Sequence, residues 1–394
     1  MNLSKPHFEH AKTDEEPIAS RSILRSTYIE RRLSDLYALG KWTECRYWLR
    51  GLNDTYRVRT QDGGAYMLRI YRAESRESDI AFELELLERL QAELLGTAAE
   101  ASPAVRLAGG RLFSALPAPE GVRFAALFRE AEGAEDLMQD EASCIAFGRS
   151  AAELHAAMDR VSPRTAAGDF DAVRGAGRAA NGAAEAAASE PPERAARAFS
   201  GEARAAEPLP PRAPADAEVL LRAPLRMILA QIGEDHPEAP FLRRYAQGLE
   251  AAASEAVSGG LDFGLCHGDM HGNNNALRQV DRFTHFDFEF AAPGWRAWDL
   301  AQVKNRKRQQ SERIEPLWQA FLEGYRSVRS FSAADEAAVE LFRLVRRFWT
   351  MGLDAEIAPL CDGALDFGED WLAGFAEEFR RHPLGKAADT ASAL

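Results

Sequence analysis

The chain has 394 residues, of which 46% are hydrophobic and 28% are charged, and its formal net charge is −13 at pH 7. This length suggests two lobes or domains with a sizeable core, and no apolar run approaches the roughly 20 residues that a membrane helix needs. The acidic balance disfavours a nucleic-acid partner, because phosphates would be repelled. The N-terminal segment lacks the apolar stretch of a secretory signal, so we expect a soluble cytoplasmic protein without a membrane partner.

The N-terminal third predicts a small, β-rich lobe with one helix, over residues 26–131. From Trp48 to Tyr71 two apolar-rich runs flank the turn Asp62-Gly63-Gly64, a pattern typical of a β-hairpin. Residues 78–95 carry leucines at helical spacing and predict an amphipathic helix. Residues 111–129 predict a second pair of strands around a Pro/Gly turn.

From Glu141 onward the pattern changes to helices, and we predict a larger, mostly helical lobe over residues 132–380. The fold class expected is therefore α+β. Four segments carry apolar residues at i, i+3, i+4 spacing; they are 141–159, 240–257, 312–328 and 333–353. Between these helices lies a single convincing hairpin, in which Asn275–Arg278 pairs with Arg282–Phe286.

Three segments do not fit either lobe. Between Val161 and Glu207 the chain has no Leu, Ile, Met, Tyr or Trp, so it cannot bury enough apolar area to offset the entropy of ordering its backbone. We predict a disordered or partly helical insertion over 161–215. Residues 1–25 are expected to be a flexible leader, and residues 381–394 a flexible tail.

The cysteines indicate packing thiols. They are scattered without a CxxC spacing, which favours reduced side chains over a disulfide framework or a zinc site. The four are Cys45, Cys144, Cys266 and Cys361.

The main candidate site is a group of polar side chains in apolar surroundings. Asp269 is followed five residues later by Asn274, and thirteen residues further on by Asp287. Protein kinases use an Asp, an Asn five residues later and a second Asp as the base and the metal ligands, and Mg²⁺ prefers such oxygen ligands. This spacing predicts Asp269 as the catalytic base, with Asn274 and Asp287 as Mg²⁺ ligands. Glu289 is a further candidate ligand.

Two histidines beside Asp269 suggest an alternative. His267 and His271 give an HxDxH pattern that would suit a metal-dependent hydrolase. However, the chain has only 8 histidines, and no later histidine cluster follows. We expect the His267 ring to bond to backbone near the second metal ligand, and Asp299 to fix the catalytic loop through backbone hydrogen bonds.

Together these motifs resemble a known superfamily. The sequence HGDxHxxN at 267–274, followed by FDFE at 286–289 and WDLA at 298–301, is similar to the aminoglycoside phosphotransferase and choline kinase superfamily. The resemblance runs from about Leu49 to Phe379 and implies a protein-kinase-like bilobal fold. Within the superfamily, the segments LRIYR, GYR and RRFWTMGLDAE are most similar to the branch that contains type II homoserine kinase-like and stress-response kinases.

The resemblance also implies a nucleotide site in the first lobe. The phosphate-binding position on a strand, usually Lys, is Arg69 here, and its helix partner is Glu83. The guanidinium group offers a fork of donors that suits phosphate oxygens.

Two further segments are implied to contact ATP. Asn53, Asp54 and Thr55 would cover the phosphates through backbone N–H groups. Phe128 to Glu132, with Phe128 and Glu130 as the named candidates, would contact the adenine.

The implied reaction is ATP- and Mg²⁺-dependent phosphoryl transfer to a hydroxyl. The acceptor would be a small molecule (an amino alcohol, amino acid, sugar or aminoglycoside) or a protein Ser/Thr, and the acidic balance of the chain suits an amine-bearing acceptor. A non-catalytic pseudokinase that binds ATP remains an alternative, as does the metal-dependent hydrolase. The aromatic residues of the C-terminal helices, Trp318, Phe321, Phe348 and Trp349, are expected in the core.

Overall fold

The computed structural model describes residues 19–136, 138–162, 170, 208–279, 281–304, 313–357 and 369–384. Over these residues the protein has an N-terminal lobe built on an antiparallel sheet and a C-terminal lobe made mostly of helices. The predicted α+β class is confirmed.

The N-terminal lobe contains two helices and six strands. They are α1 (Ser26–Leu33), β1 (Trp42–Arg50), β2 (Asp54–Thr60), β3 (Ala65–Ile70), α2 (Glu77–Glu93), β4 (Ala99–Ala101), β5 (Ser114–Ala118) and β6 (Gly121–Arg129). Five of the strands form one sheet in the order β1-β2-β3-β6-β5. Side chains of β2 and β3 alternate between buried and half-buried, because successive residues of a strand point to opposite faces.

The predicted hairpin is formed by β2 and β3, and the predicted helix by α2. The sequence analysis missed the full extent of β1 and the short helix α1. The lobe also begins earlier than predicted, because the last residues of the expected leader pack against it: Ser22 donates to Glu120 at 2.6 Å, and Leu24 is buried.

The C-terminal lobe contains seven helices and four strands in the part of the chain that is described. They are α3 (Glu141–Val161), α4 (Ala223–Ile232), α5 (Ala239–Ser258), β7 (Phe263–Cys266), β8 (Asn275–Gln279), β9 (Arg282–His285), β10 (Ala292–Trp295), α6 (Arg296–Leu300), α7 (Ile314–Arg326), α8 (Ala333–Ile357) and α9 (Glu369–Arg381).

The predicted hairpin of this lobe is formed by β8 and β9, and it joins the two lobes because β4 pairs with β9 in parallel. A second antiparallel pair, β7 with β10, flanks the segment that carries Asp269, Asn274 and Asp287. This second pair is not a hairpin, because 25 residues separate its strands, and the sequence pattern did not predict it. A four-residue strand such as β7, buried at every position, has no apolar/polar alternation to reveal it.

Part of the predicted insertion belongs to the packed structure. Phe170 is buried against Trp295, with ring centroids 5.1 Å apart, and the Ala215 N–H donates to the Pro293 carbonyl at 2.8 Å. Residues 163–169 and 171–207 of that prediction lie outside the described residues. Most of the predicted leader and tail, residues 1–18 and 385–394, lies outside them as well.

Candidate active site

A buried carboxylate holds the loop that follows β7. Asp299, on α6, accepts hydrogen bonds from the backbone N–H groups of His267 (2.6 Å) and Gly268 (2.7 Å). Gly268 has a φ of +79°, and a Cβ there would lie 2.0 Å from the Phe290 carbonyl oxygen. The expected role of Asp299 as the anchor of this loop is confirmed.

A buried chain of side chains supports Asp299. His155 Nε2 lies 3.0 Å from Asp299 Oδ2, and His155 Nδ1 lies 2.8 Å from the Tyr325 hydroxyl. Burial, reinforced by the nearby Arg296 charge, lowers the pKa of His155 to about 4. The neutral ring therefore donates to Asp299 and accepts from Tyr325 at physiological pH.

His267 connects this loop to the segment that carries Asp287. Its Nδ1 accepts from the Asp269 N–H at 3.2 Å, and its Nε2 lies 3.2 Å from the Phe286 carbonyl oxygen. Burial is the main reason that the pKa of His267 is lowered, so the neutral ring donates from Nε2. The prediction that this ring bonds to backbone is confirmed, and the Phe286 carbonyl that it contacts directly precedes the candidate ligand Asp287.

Asp269 is surrounded by three polar partners. Oδ2 accepts from Asn274 Nδ2 at 2.8 Å and lies 3.2 Å from His271 Nε2, while Oδ1 accepts from Arg346. Burial raises the pKa of Asp269, but the hydrogen bond from His271 and the charge of Arg346 outweigh it, so the pKa lies well below its ordinary value. The carboxylate is ionised and pre-oriented at neutral pH.

The two proposed Mg²⁺ ligands present oxygens that suit that ion. The Asn274 amide nitrogen donates to Asp269, which leaves the amide oxygen as the group available to a cation. Asp287 has a positive φ of 66°, an unusual backbone conformation for a residue other than glycine. Its side chain is 38% exposed. An amide oxygen and an exposed carboxylate fit the hard, oxygen-preferring Mg²⁺.

Arg69 joins the two lobes at the centre of the site. Nη1 lies 2.7 Å from Glu83 Oε1, and Nη2 lies 3.0 Å from Asp287 Oδ1. The guanidinium carbon also lies 5.3 Å from the centre of the Phe128 ring. Burial raises the pKa of Glu83 to about 7, against the lowering effect of Arg69. The structure thus brings together the strand cation, its helix partner and the second candidate metal ligand.

A second connection between the lobes involves Glu289. Its carboxylate accepts from Arg72 and, at 2.6 Å, from Asn53 Nδ2. Asn53 Oδ1 in turn accepts from the Arg72 N–H at 3.0 Å. We call these three residues the lobe latch. Both carboxylate oxygens of Glu289 are engaged by protein donors, in contrast to the exposed carboxylate of Asp287.

The remaining nucleotide candidates lie on the N-terminal sheet. Asp54 and Thr55 belong to β2, which pairs with both β1 and β3, and the Asp54 carboxylate is buried against Arg50 (2.6 Å) and Arg123 (2.9 Å). The Glu130 carboxylate pairs with Arg57 at 2.8 Å.

A cavity of about 1180 Å³ opens beside the catalytic loop. It is bordered by Gly268 and by three aromatic residues, Phe290, Trp298 and Trp349. Four aromatic residues of the C-terminal helices were expected in the core. Trp318, Phe321 and Phe348 are buried in the core, whereas Trp349 lines this cavity.

Sequence reasoning missed Arg346, the cation that contacts Asp269. It lies 77 residues away on α8, inside a pattern that looks like an ordinary amphipathic helix. The segment RRFWTMGLDAE that contains it supported the superfamily resemblance, but nothing local linked its arginine to the catalytic loop.

The cysteines, possible metal-binding clusters and membrane helices were also predicted from the sequence. Cys45, Cys144 and Cys266 are not joined by a disulfide in the part of the chain that the structure describes, and Cys361 lies outside the described residues. Throughout the described segments no group of three or more His, Cys, Asp or Glu side chains is arranged to hold a metal ion. No helix among the described ones is long and apolar enough to cross a lipid bilayer.

Comparison with known proteins shows the family to which the chain belongs. Residues 49–331 match the phosphotransferase enzyme family (APH). A protein from Deinococcus radiodurans, described as uncharacterized, is 31% identical over 372 residues, which cover 93% of this chain and 88% of the relative.

Two solved structures share the fold at low sequence identity. The amicoumacin kinase hAmiN, in complex with AMP-PNP, Ca²⁺ and Ami, superposes with a TM-score of 0.60 at 16% identity, over 92% of this chain and 95% of that one. A microcompartment-associated aminopropanol kinase gives a TM-score of 0.60 at 19% identity, over 90% of this chain and 94% of that one.

Proposed function

Since this chain belongs to the phosphotransferase enzyme family, we propose that it transfers the γ-phosphoryl group of ATP to a hydroxyl group of a small molecule, with Mg²⁺ as cofactor. One observation carries this proposal. Arg69, held by Glu83 at 2.7 Å, reaches Asp287 across the lobes at 3.0 Å, and Asn274 bonds to Asp269 at 2.8 Å. These contacts support the proposal, in which Arg69 is assigned to the phosphates, Asn274 and Asp287 to the metal ion and Asp269 to the acceptor hydroxyl.

Each residue has a defined task in this proposal. Asp269 accepts a hydrogen bond from the acceptor hydroxyl, orients its oxygen and takes its proton as the bond to phosphorus forms. Its low pKa favours a late proton transfer, in which positioning of the hydroxyl contributes most. Arg69 contacts phosphate oxygens through its fork of donors.

Asn274 and Asp287 would hold Mg²⁺ through their side-chain oxygens. When bound, the ion supplies positive charge that offsets the charge of the phosphate oxygens. Glu289 is better assigned to the lobe latch than to the metal, because Arg72 and Asn53 already engage its carboxylate. The latch ties Asn53, the residue directly before β2, to Glu289 of the second lobe and to the Arg72 N–H of the first.

The cavity beside Gly268 is the proposed acceptor site. The lining residue Gly268 is adjacent to Asp269 along the chain, and the cavity volume of about 1180 Å³ is slightly above the roughly 300–1,000 Å³ typical of small-molecule pockets. A metabolite or antibiotic alcohol fits such a cavity better than a folded protein with a Ser/Thr side chain.

Nucleotide binding and acceptor turnover test the proposal separately. We expect ATP to raise the melting temperature only when Mg²⁺ is present, and ADP to form when a panel of sugars, amino alcohols, hydroxy acids and aminoglycosides is supplied. ATP binding without transfer to any member of a broad panel would favour the pseudokinase alternative. Phosphate-ester hydrolysis without ATP, abolished by a zinc chelator, would favour the hydrolase alternative.

A further inference from the structure

Arg346, on α8, contacts the carboxylate of Asp269. Its Nη1 donates to the Gly268 carbonyl at 2.8 Å, and its Nη2 donates to Asp269 Oδ1. The guanidinium carbon lies 4.4 Å from the centre of the Trp349 ring and 5.2 Å from that of Trp298. Four contacts thus hold one cation against the base, between the two tryptophans that border the cavity.

Through these contacts Arg346 already engages the groups that would attract a positively charged acceptor, namely the Asp269 carboxylate and the two tryptophan rings. An ammonium group next to the reacting hydroxyl would be drawn to the Asp269 carboxylate by charge and to the tryptophan rings by cation–π attraction. Arg346 already engages both. A second cation in the same place would meet the guanidinium charge at short range, in a partly buried environment where repulsion is weakly screened.

The other charged groups of the cavity lining supply little unpaired negative charge that could attract an ammonium group. Asp79 is paired with Arg212 at 2.8 Å, and the remaining acidic residues of the described lining, Glu77 and Glu356, are exposed. Arg76, also in the lining, is exposed beside Glu77. The acidic balance of the whole chain, which suggested an amine-bearing acceptor, is therefore not reproduced near the base.

The uncharged part of the lining is mostly apolar. It includes the aromatic residues Phe290, Trp298 and Trp349 and the aliphatic residues Leu220, Pro224 and Met227. Such a wall favours an acceptor with an alkyl or aromatic body, because burying apolar surface is favourable and each unpaired polar group in the acceptor would lose its hydration.

We propose that Arg346 is a specificity-determining residue, and that the acceptor is a neutral or acidic alcohol with an apolar body and without an ammonium group beside the reacting hydroxyl. This inference rests on the proposed function, because it assigns the substrate class of the same site. An acceptor carboxylate or carbonyl next to the hydroxyl would be compatible with the guanidinium group, which has further donors.

Three alcohols that share one carbon skeleton test this inference. They are 3-phenyllactate, 3-phenylpropane-1,2-diol and phenylalaninol, which carry an acidic, a neutral and, at pH 7, an ammonium group next to a hydroxyl. Their affinities are measured without nucleotide, through the change in tryptophan fluorescence. The proteins are the wild type, Arg346→Gln, Arg346→Lys and the control Arg347→Gln. Arg347 is next along α8 but pairs with Glu378 at 2.8 Å, away from Asp269.

We expect the wild type to bind phenylalaninol at least about tenfold more weakly than the diol, as close like charges require. Arg346→Gln should reduce this ratio to about threefold or less, while Arg346→Lys and Arg347→Gln should keep it. Because the ratio is internal to each protein, a general loss of stability in one variant does not mimic the effect.

Several results would overturn the inference. They are equal or tighter binding of phenylalaninol by the wild type, a ratio that Arg346→Gln leaves unchanged, and no binding of any of the three alcohols. Failure of the proposed function is seen separately, as absence of Mg²⁺-dependent ATP binding and of ADP formation. The fluorescence ratio supports or contradicts the role of Arg346 in either case.

Discussion

Arg69 lies 3.0 Å from Asp287, across the boundary between the two lobes, while its other terminal nitrogen holds Glu83 at 2.7 Å. One guanidinium group therefore links a strand of the first lobe, the helix beside it and the candidate metal ligand of the second. Lysine, a point charge on a flexible stem, cannot hold two carboxylates in the same fixed geometry. With Arg in place of the usual Lys, the positive charge at this position is therefore kept, and the geometry of its contacts with the carboxylates changes.

Removing this cation should weaken the use of ATP. We predict that Arg69→Met lowers kcat/KM for ATP by about 10- to 100-fold, since a charged hydrogen bond contributes about 1.5–3 kcal/mol, and that Arg69→Lys recovers part of the loss. Arg106→Met is the control, because Arg106 pairs with Glu88 on the exposed face of α2 at 2.7 Å. Steady-state kinetics with varied ATP measure the effect, and an Arg69→Met enzyme as efficient as the control would contradict the assignment.

The two acidic residues after β9 should respond differently to magnesium. Asp287→Asn should raise the Mg²⁺ concentration needed for half-maximal thermal stabilisation by ATP by at least about tenfold, the range typical for changes at a metal site. Glu289→Gln should leave that concentration within about threefold of the wild type, because Arg72 and Asn53 already engage the carboxylate. Equal shifts in both variants would instead make Glu289 a metal ligand.

The buried His155 should make stability depend on pH. Its pKa is lowered from 6.5 to about 4 in the folded protein, so between these values the unfolded chain binds a proton that the folded chain does not. Stability from this residue is therefore present above pH 6.5 and is lost as the pH falls toward 4. At about 1.4 kcal/mol per pKa unit, the full loss is on the order of 3 kcal/mol.

His155→Gln removes this titration. Urea unfolding at pH 7 and pH 4.5 should show the variant to be less stable than the wild type at pH 7 but to lose less stability on acidification. If both proteins lose the same free energy of unfolding between the two pH values, His155 does not titrate as the structure indicates.

The sequence predicted those parts of the site that depend on short spacing. The separation of Asp269 from Asn274 and the hairpin that precedes Asp287 are local features, and the family resemblance pointed to Arg69. Strand β1 was only partly predicted, because its burial is irregular and it contains two breaks in register.

Contacts made through tertiary packing could not be predicted in this way. The lobe latch joins Asn53 to Glu289 over 236 residues, and Arg346 reaches Asp269 from a helix whose sequence pattern shows only which face is buried. The expectation of an amine-bearing acceptor came from the net charge of the whole chain. That charge does not determine the local field beside one carboxylate, where Arg346 is the nearest charged partner.

The most direct test of the proposed kinase activity is the substitution Asp269→Asn, which keeps the size of the side chain but removes the base. With the best acceptor of the panel and saturating Mg²⁺ and ATP, we predict a loss of turnover of at least about 100-fold. The affinity for Mg²⁺–ATP should stay within about threefold of the wild type, because Asp269 is assigned to the acceptor. Turnover equal to that of the wild type would contradict the role of Asp269 and the mechanism built on it.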